Sequence, residues 1–166
     1  MMRMSPSPHN DFHAPHVALL LDSYARCVGV PLLPPGSAVE QARLLYESTM
    51  VVVSHGTEAD PIFNYANVAA QRLFELHWDA FVRLPSRLSA GPVHRDERQR
   101  LLDRVARHGY IADYAGIRVA SSGRQFRIEQ ATVWNLVAAD GRPAGQAACF
   151  SRWTWLDQAS RVAGTG

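Results

Sequence analysis

The residues in this sequence best suited to chemistry are arginines, a tyrosine and a glutamate on two neighbouring extended segments. Tyr114, Gly116 and Arg118 alternate with Ile117 and Val119, so the first three share one face of a strand. The turn Ser121-Ser122-Gly123 should fold the next segment back and bring Arg118 near Arg127 and Glu129. Two readings of that cluster stand. A cross-strand ion pair on a solvated or helix-covered face would stabilise the sheet by about 0.2–1 kcal/mol. A guanidinium pair would instead clamp a carboxylate-bearing ligand, because arginine offers a rigid two-pronged donor. Alternation along the second segment sets Phe126, Ile128, Gln130, Thr132, Trp134 and Leu136 on one face. Arg127, Glu129, Ala131, Val133 and Asn135 fall on the other, and a bulge near Glu129-Gln130 would reverse the facing downstream.

Other reactive side chains carry less. Gly145, Ala147, Cys149 and Ser151 share one side of the last strand, where either a helix or a ligand packs closely. Cys149 reads as a small buried hydrophobe rather than a reactive thiol. Trp153 and Trp155 fall on the same side; exposed they would mark a dimer surface, buried they would be core. His9, His13 and His16 lack the rigid partners a metal site needs, and His108 suits a helix C-terminus. No Gly-x-Ser-x-Gly elbow, P-loop, His-Glu-x-x-His motif or Gly-x-Gly-x-x-Gly turn is present, so no catalytic residue and no metal site is expected.

The elements that position these groups follow from periodicity and caps. Residues 1–13 are polar and should be loosely held. Leu20, Leu21, Tyr24 and Val28 predict a helix over 16–28, stopped by Gly29, and Pro31 to Gly36 form a linker. Ser37 and Glu40 fit a capping box opening a second helix, with Val39, Leu44, Leu45 and Tyr46 as its apolar side. Met50–Val53 and Ile62–Tyr65 predict a strand pair. Asn67 can cap a helix buried through Val68, Ala69, Leu73, Phe74 and Leu76. Asp96 to His108 is a strong helix, acidic at its start, basic at its end and closed by Gly109. Strands over 110–120, 125–137 and 144–156 complete the chain. That order predicts an α+β fold built on one antiparallel sheet.

Composition bounds the function. The 166 residues are 47% hydrophobic and 19% charged, enough for one ordinary folded domain. All 17 basic residues are arginine, and against 15 acids they leave a net charge of +2, unlike a dedicated nucleic-acid binder. Two cysteines cannot form a disulfide framework. The apolar run 17–21 is far shorter than the ~20 residues that span a bilayer. A soluble, cytoplasmic protein with no membrane association is expected.

Two strands, a helical middle and three more strands resemble a PAS domain, and the segment Phe63 to Phe74 resembles its second strand and following helix. More narrowly, Asp60-Pro61-Ile62-Phe63-Asn64-Tyr65-Ala66-Asn67 resembles the MEKHLA domain. So do Leu84-Pro85-Ser86-Arg87-Leu88-Ser89-Ala90, Glu97-Arg98 with Leu101-Leu102, Gly116-Ile117-Arg118, Gly123-Arg124-Gln125-Phe126 and Ala131-Thr132-Val133-Trp134-Asn135. The resemblance covers about residues 37 to 155 and implies a PAS-like fold with a five-stranded antiparallel sheet, flanking helices and a sensory or interaction role. It implies a domain over 37–156, an N-terminal extension over 1–36 serving as cap or dimer arm, and a flexible tail over 157–166. It brings no catalytic residues and no direct nucleic-acid binding. The small-molecule pocket would have walls from Trp78, Phe81, Phe126, Ile128 and Trp134, with Arg87, Tyr114, Arg118 and Asn135 as polar contacts. The cofactor stays open. Covalent flavin attachment is not expected, since no cysteine lies between Cys27 and Cys149, and haem is not expected either. The favoured reading is a ligand-binding sensor acting through a homodimer or partner contact. The alternatives are a ligand-free dimerisation module and a small enzyme using Arg118, Glu129 and Tyr114 on an acidic substrate.

Overall fold

A computed structural model describes residues 4–91 and 94–156; the tail expected over 157–166 lies outside the described residues. Ser7 and Asn10 cap each other's backbone at the head of a 3-10 segment, Pro8–His13. Helix α1, Ala14–Val28, and α2, Ala38–Glu47, follow. Strands β1, Val51–His55, and β2, Phe63–Ala66, form a hairpin. The helical middle holds α3 (Val68–Phe74), α4 (Trp78–Phe81), a 3-10 turn (Ser86–Ser89) and α5 (Arg95–His108). Strands β3 (Tyr110–Val119), β4 (Gln125–Val137), β5 (Pro143–Phe150) and β6 (Arg152–Trp155) close the chain. The sheet is antiparallel in the order β2-β1-β5-β4-β3, with β6 beside β4.

The start of the chain is not loosely held over residues 4–13. Phe12 is buried, its ring 6.3 Å from that of Tyr46 on α2. Ser37 caps α2 as expected, accepting from the Glu40 amide. The buried face of α2, however, is Ala42 and Leu45, while Val39 and Leu44 stay exposed. Asn67 does more than cap α3. Its Oδ1 accepts from the Ala70 and Val52 amides, and its Nδ2 donates to the Leu45 and Met50 carbonyls. One fully buried amide therefore ties α2, β1 and α3 together.

Helices cover both faces of the sheet. On one face α1 and α2 bury Val52, Tyr65, Trp134, Leu136, Ala147 and Cys149. On the other, α3 and α4 bury Phe63, Phe126, Ile128, Ala131 and Phe150, and α5 buries Val133 through Leu101 and Val105. The reversal happens within β4. Gln130 sits at φ 52, a left-handed conformation that inserts a bulge and breaks the alternation. Upstream, Phe126 to Glu129 pair with β6; downstream, Thr132 to Val137 pair with β5. The single last strand expected over 144–156 is accordingly two strands, interrupted at Ser151. Trp134 and Phe126, expected on one face, end on opposite faces. Trp134 lies against α1 and donates its Nε1–H to the Leu20 carbonyl at 3.2 Å.

Candidate functional site

The site grows out of the α3–α5 side of the sheet. Helix α5 is closed by Gly109 at φ +94, and Arg98, Leu101 and Val105 fall on one stripe of it. Because Leu101 and Val105 dock on the sheet, Arg98 is carried inward and is only 6% exposed. Its Nη2 donates a hydrogen bond to Ser86 Oγ, and Ser86 is held by donating its amide to the Pro61 carbonyl at 2.8 Å. Burial, and next the positive charge of Arg118, push the Arg98 guanidinium pKa down to about 10.

The register of the β3–β4 hairpin places Arg118. Arg118 is opposite Phe126, Ile117 opposite Arg127, and Gly116 opposite Ile128. Facing residues share a side, so Arg118 points inward with Phe126, away from Arg127 and Glu129. Glu129 pairs instead with Arg152 on β6, and both are exposed. The expected Arg118–Glu129 neighbourhood does not form, which also dismantles the Arg118–Glu129–Tyr114 enzyme constellation. Arg118 is 9% exposed; its Nη1 donates to the Ile117 carbonyl and its guanidinium lies 5.5 Å from the centre of the Tyr114 ring. Tyr114 in turn folds back over Gly116. A Cβ at position 116 would overlap the tyrosine hydroxyl, so glycine is what lets the ring lie there.

These side chains line a partly open cavity of about 60 Å³. Val53, Phe63, Phe74, Leu101, Ile128, Val133 and Phe150 give it apolar walls; His55, Ser89, Arg98, Tyr114, Arg118 and Gln146 give it polar ones. Two buried polar atoms here, Tyr114 Oη and His55 Nε2, have no hydrogen-bond partner among the described residues. His55 Nδ1 lies 3.0 Å from the Gly56 carbonyl, which fixes the proton on Nδ1 and leaves Nε2 as an acceptor. Burial, its largest influence, lowers the pKa of this ring and keeps it neutral. His55, Arg98, Leu102 and Gln146 also line an outer cleft, so they form the wall between cavity and surface. Gln146 Nε2 donates across that wall to the Leu102 carbonyl and to Asn135 Oδ1, both at 3.1 Å, and Asn135 Nδ2 donates to the Val105 carbonyl.

The structure sorts the expected site residues. Tyr114, Arg118 and Ile128 line the cavity. Arg87 and Asn135 line the outer cleft, where the Arg87 Nε–H is shared between the two Asp60 carboxylate oxygens at 3.1 and 3.2 Å. Phe81 and Phe126 lie in the packed core beside it, each edge-on to Phe74. Trp78 belongs with Trp134 to the core on the α1 side. Sequence reasoning missed Arg98 and His55 as cavity residues. Arg98 carried a signal, three residues before Leu101 on the buried stripe of α5; His55, at a strand end, carried none. The small residues of the last strand are explained by packing. Ala147 and Cys149 face the α1 core, and a Cβ on Gly145, at φ +123, would overlap the His55 carbonyl of β1. Burial pushes the Cys149 thiol pKa up to about 12.

The sequence matches the MEKHLA domain over residues 14–155, most of the chain and including α1. The chain belongs to the MEKHLA domain family. Its fold is that of a PAS domain. The PAS domain of a protein from Colwellia psychrerythraea superposes with a TM-score of 0.57 at 12% identity, over 70% of this chain and 94% of that one. A light-oxygen-voltage domain studied with a flavin analogue gives 0.56 at 12% identity, over 76% and 93%. An RNA-binding light-oxygen-voltage receptor gives 0.56 at 17%, over 80% of this chain but 38% of the receptor. No curated protein matches the sequence. Among the described residues no helix is long and apolar enough to cross a membrane.

Proposed function

We propose that this MEKHLA domain is a sensor that admits a small organic molecule to the cavity between α5 and the sheet and reports its presence through a partner or dimer contact. The PAS-like fold and the family support a sensory module. The observation that carries the ligand is the cavity itself, since a packed core would leave neither that space nor two polar atoms without partners. A flavin or haem is far larger than the 60 Å³ of this cavity. We read the domain as a binder and not an enzyme.

The signal would be a population shift. A ligand held between Arg98 on α5 and Arg118 on β3 favours one spacing of helix and sheet. The Asn135 and Gln146 ties to α5 set the alternative spacing. The edge at Trp153 and Trp155, whose rings lie 5.6 Å apart with Arg124 3.8 Å over Trp155, is where a second copy or a partner would read the change. Trp153 is 39% exposed there. Helix α1 is an unsuitable dimer arm, because removing it would uncover Trp134 and Leu136.

Native mass spectrometry beside a denatured control tests the reading. Extra mass that is lost on denaturation, and is absent from a cavity-filling Val133→Phe variant, is the expected result. A bare protein whose melting temperature no metabolite raises would overturn ligand sensing. Such a protein running at twice its mass would leave the ligand-free dimerisation module in its place.

A further inference from the structure

The geometry points to a short-chain carboxylate as the ligand class, its carboxylate held by Arg98, Arg118 and the Tyr114 hydroxyl and its apolar body by the cavity wall. The inference rests on the cavity being a ligand site. It goes further by saying what chemistry the site selects.

Two guanidinium groups, 6% and 9% exposed, line one cavity. Among the described residues neither has a carboxylate within ion-pair distance. Arg98 spends a donor on Ser86 Oγ and Arg118 spends one on the Ile117 carbonyl. Each guanidinium has five N–H donors, so most of their capacity is unspent. Two like charges buried together, with only the Asp60 carboxylate, beyond ion-pair reach and bonded to Arg87, to offset Arg98, are a costly arrangement that an anion would relieve. Tyr114 adds a hydroxyl with no hydrogen-bond partner among the described residues, held in place by the absence of a Cβ at Gly116. Tyr114, Gly116 and Arg118 occupy alternate positions of one strand face, and Arg98 approaches from α5.

The walls decide between anions. Ser54, His55, Ser89 and Gln146 add polar groups elsewhere, but most of the remaining lining is apolar, with Val53, Phe63, Phe74, Ile128, Val133 and Phe150 as its main surfaces. A phosphate or sulfate would meet that apolar surface with unsatisfied oxygens. A carboxylate carries its charge at one end, matches the planar fork of arginine and leaves its carbon chain for the walls. The volume limits that chain to a few carbons.

The test is calorimetric titration of the purified full-length protein with sodium butyrate, butyramide and sodium phosphate at matched ionic strength. Butyrate should bind at least tenfold more tightly than either of the others. Arg118→Met should lose that preference and bind butyrate and butyramide alike. Because Arg118→Met could fold poorly, Gly116→Ala is the second variant, and its displaced Tyr114 should weaken butyrate several-fold while butyramide is unchanged. The Nε–Hε signals of Arg98 and Arg118 should move with butyrate and not with butyramide. Equal affinity for butyrate and butyramide, or no butyrate binding, overturns the carboxylate. If butyramide or another neutral compound binds while butyrate does not, the ligand-sensing function survives and this inference fails. Phosphate binding as tightly as butyrate would show a site for bare oxyanions and overturn it as well.

Discussion

Replacing Arg98 by methionine should make the free protein more stable at pH 7, although it removes a hydrogen-bonded core residue. The Arg98 guanidinium is pushed well below its ordinary value, to about 10, first by burial and then by Arg118. At about 1.4 kcal/mol per pH unit, holding it charged costs the fold about 3 kcal/mol. The sign follows from the direction. The folded chain holds this proton less tightly than the unfolded chain does, so the full cost is present below about pH 10 and fades as pH rises above it. Methionine keeps the apolar stem and removes the charge. Against the gain stands the bond to Ser86 Oγ, worth about 1–2 kcal/mol with the stranded hydroxyl included. The net is a stabilisation of about 1–2 kcal/mol, which for a chain of this size raises Tm by about 2–8 °C. Urea unfolding at pH 7, followed by tryptophan fluorescence, reads it directly. A loss of 1 kcal/mol or more would refute the reasoning, because it would mean the cation is already compensated in the free protein and is not waiting for an anion.

Three other outcomes are expected. Asn67→Ala should cost about 3–4 kcal/mol by urea unfolding, since it removes the α3 cap and strands the Val52 amide and the Leu45 and Met50 carbonyls in the core. Cys149, with its thiol held up at about 12, should resist alkylation at pH 8 in the native protein and react once urea unfolds it. His55 is lowered mainly by burial, assisted by Arg98 and opposed by the Gly56 carbonyl, Glu58 and the Gln146 side chain, so below about pH 6.5 the unfolded chain takes up a proton that the folded chain refuses. Stability should therefore fall as pH drops from about 6.5, by at most about 1.4 kcal/mol per pH unit, and His55→Gln should flatten that part of the melting curve measured between pH 7.5 and 5.5.

Local chemistry alone was enough to place most of the helices and strands, though not the ordered start at Pro8–His13, α4 or the break between β5 and β6. Ser37 and Asn67 announce helices because their side chains accept from amides three residues ahead, whatever the rest of the fold does. Gly29 and Gly109 end helices because both take positive φ that other residues avoid. The 13-residue span of β4 and the two hairpins read correctly for the same reason, and the ordered motifs from Asp60 to Asn135 carried the family and with it the fold. What the sequence left open was which face each side chain occupies. One left-handed residue, Gln130, reverses β4, so Trp134 leaves the cavity side and joins α1. Pairing register sends Arg118 inward and Glu129 outward, although alternation along β3 and along β4 as far as Glu129 agrees with the sequence pattern. Burial of Arg98 depends on Leu101 and Val105 docking against Val133, a contact between residues some thirty positions apart. Caps and periods are set by neighbours along the chain, whereas facing and burial are set by partners across it, and a cavity exists only where several such partners fail to meet.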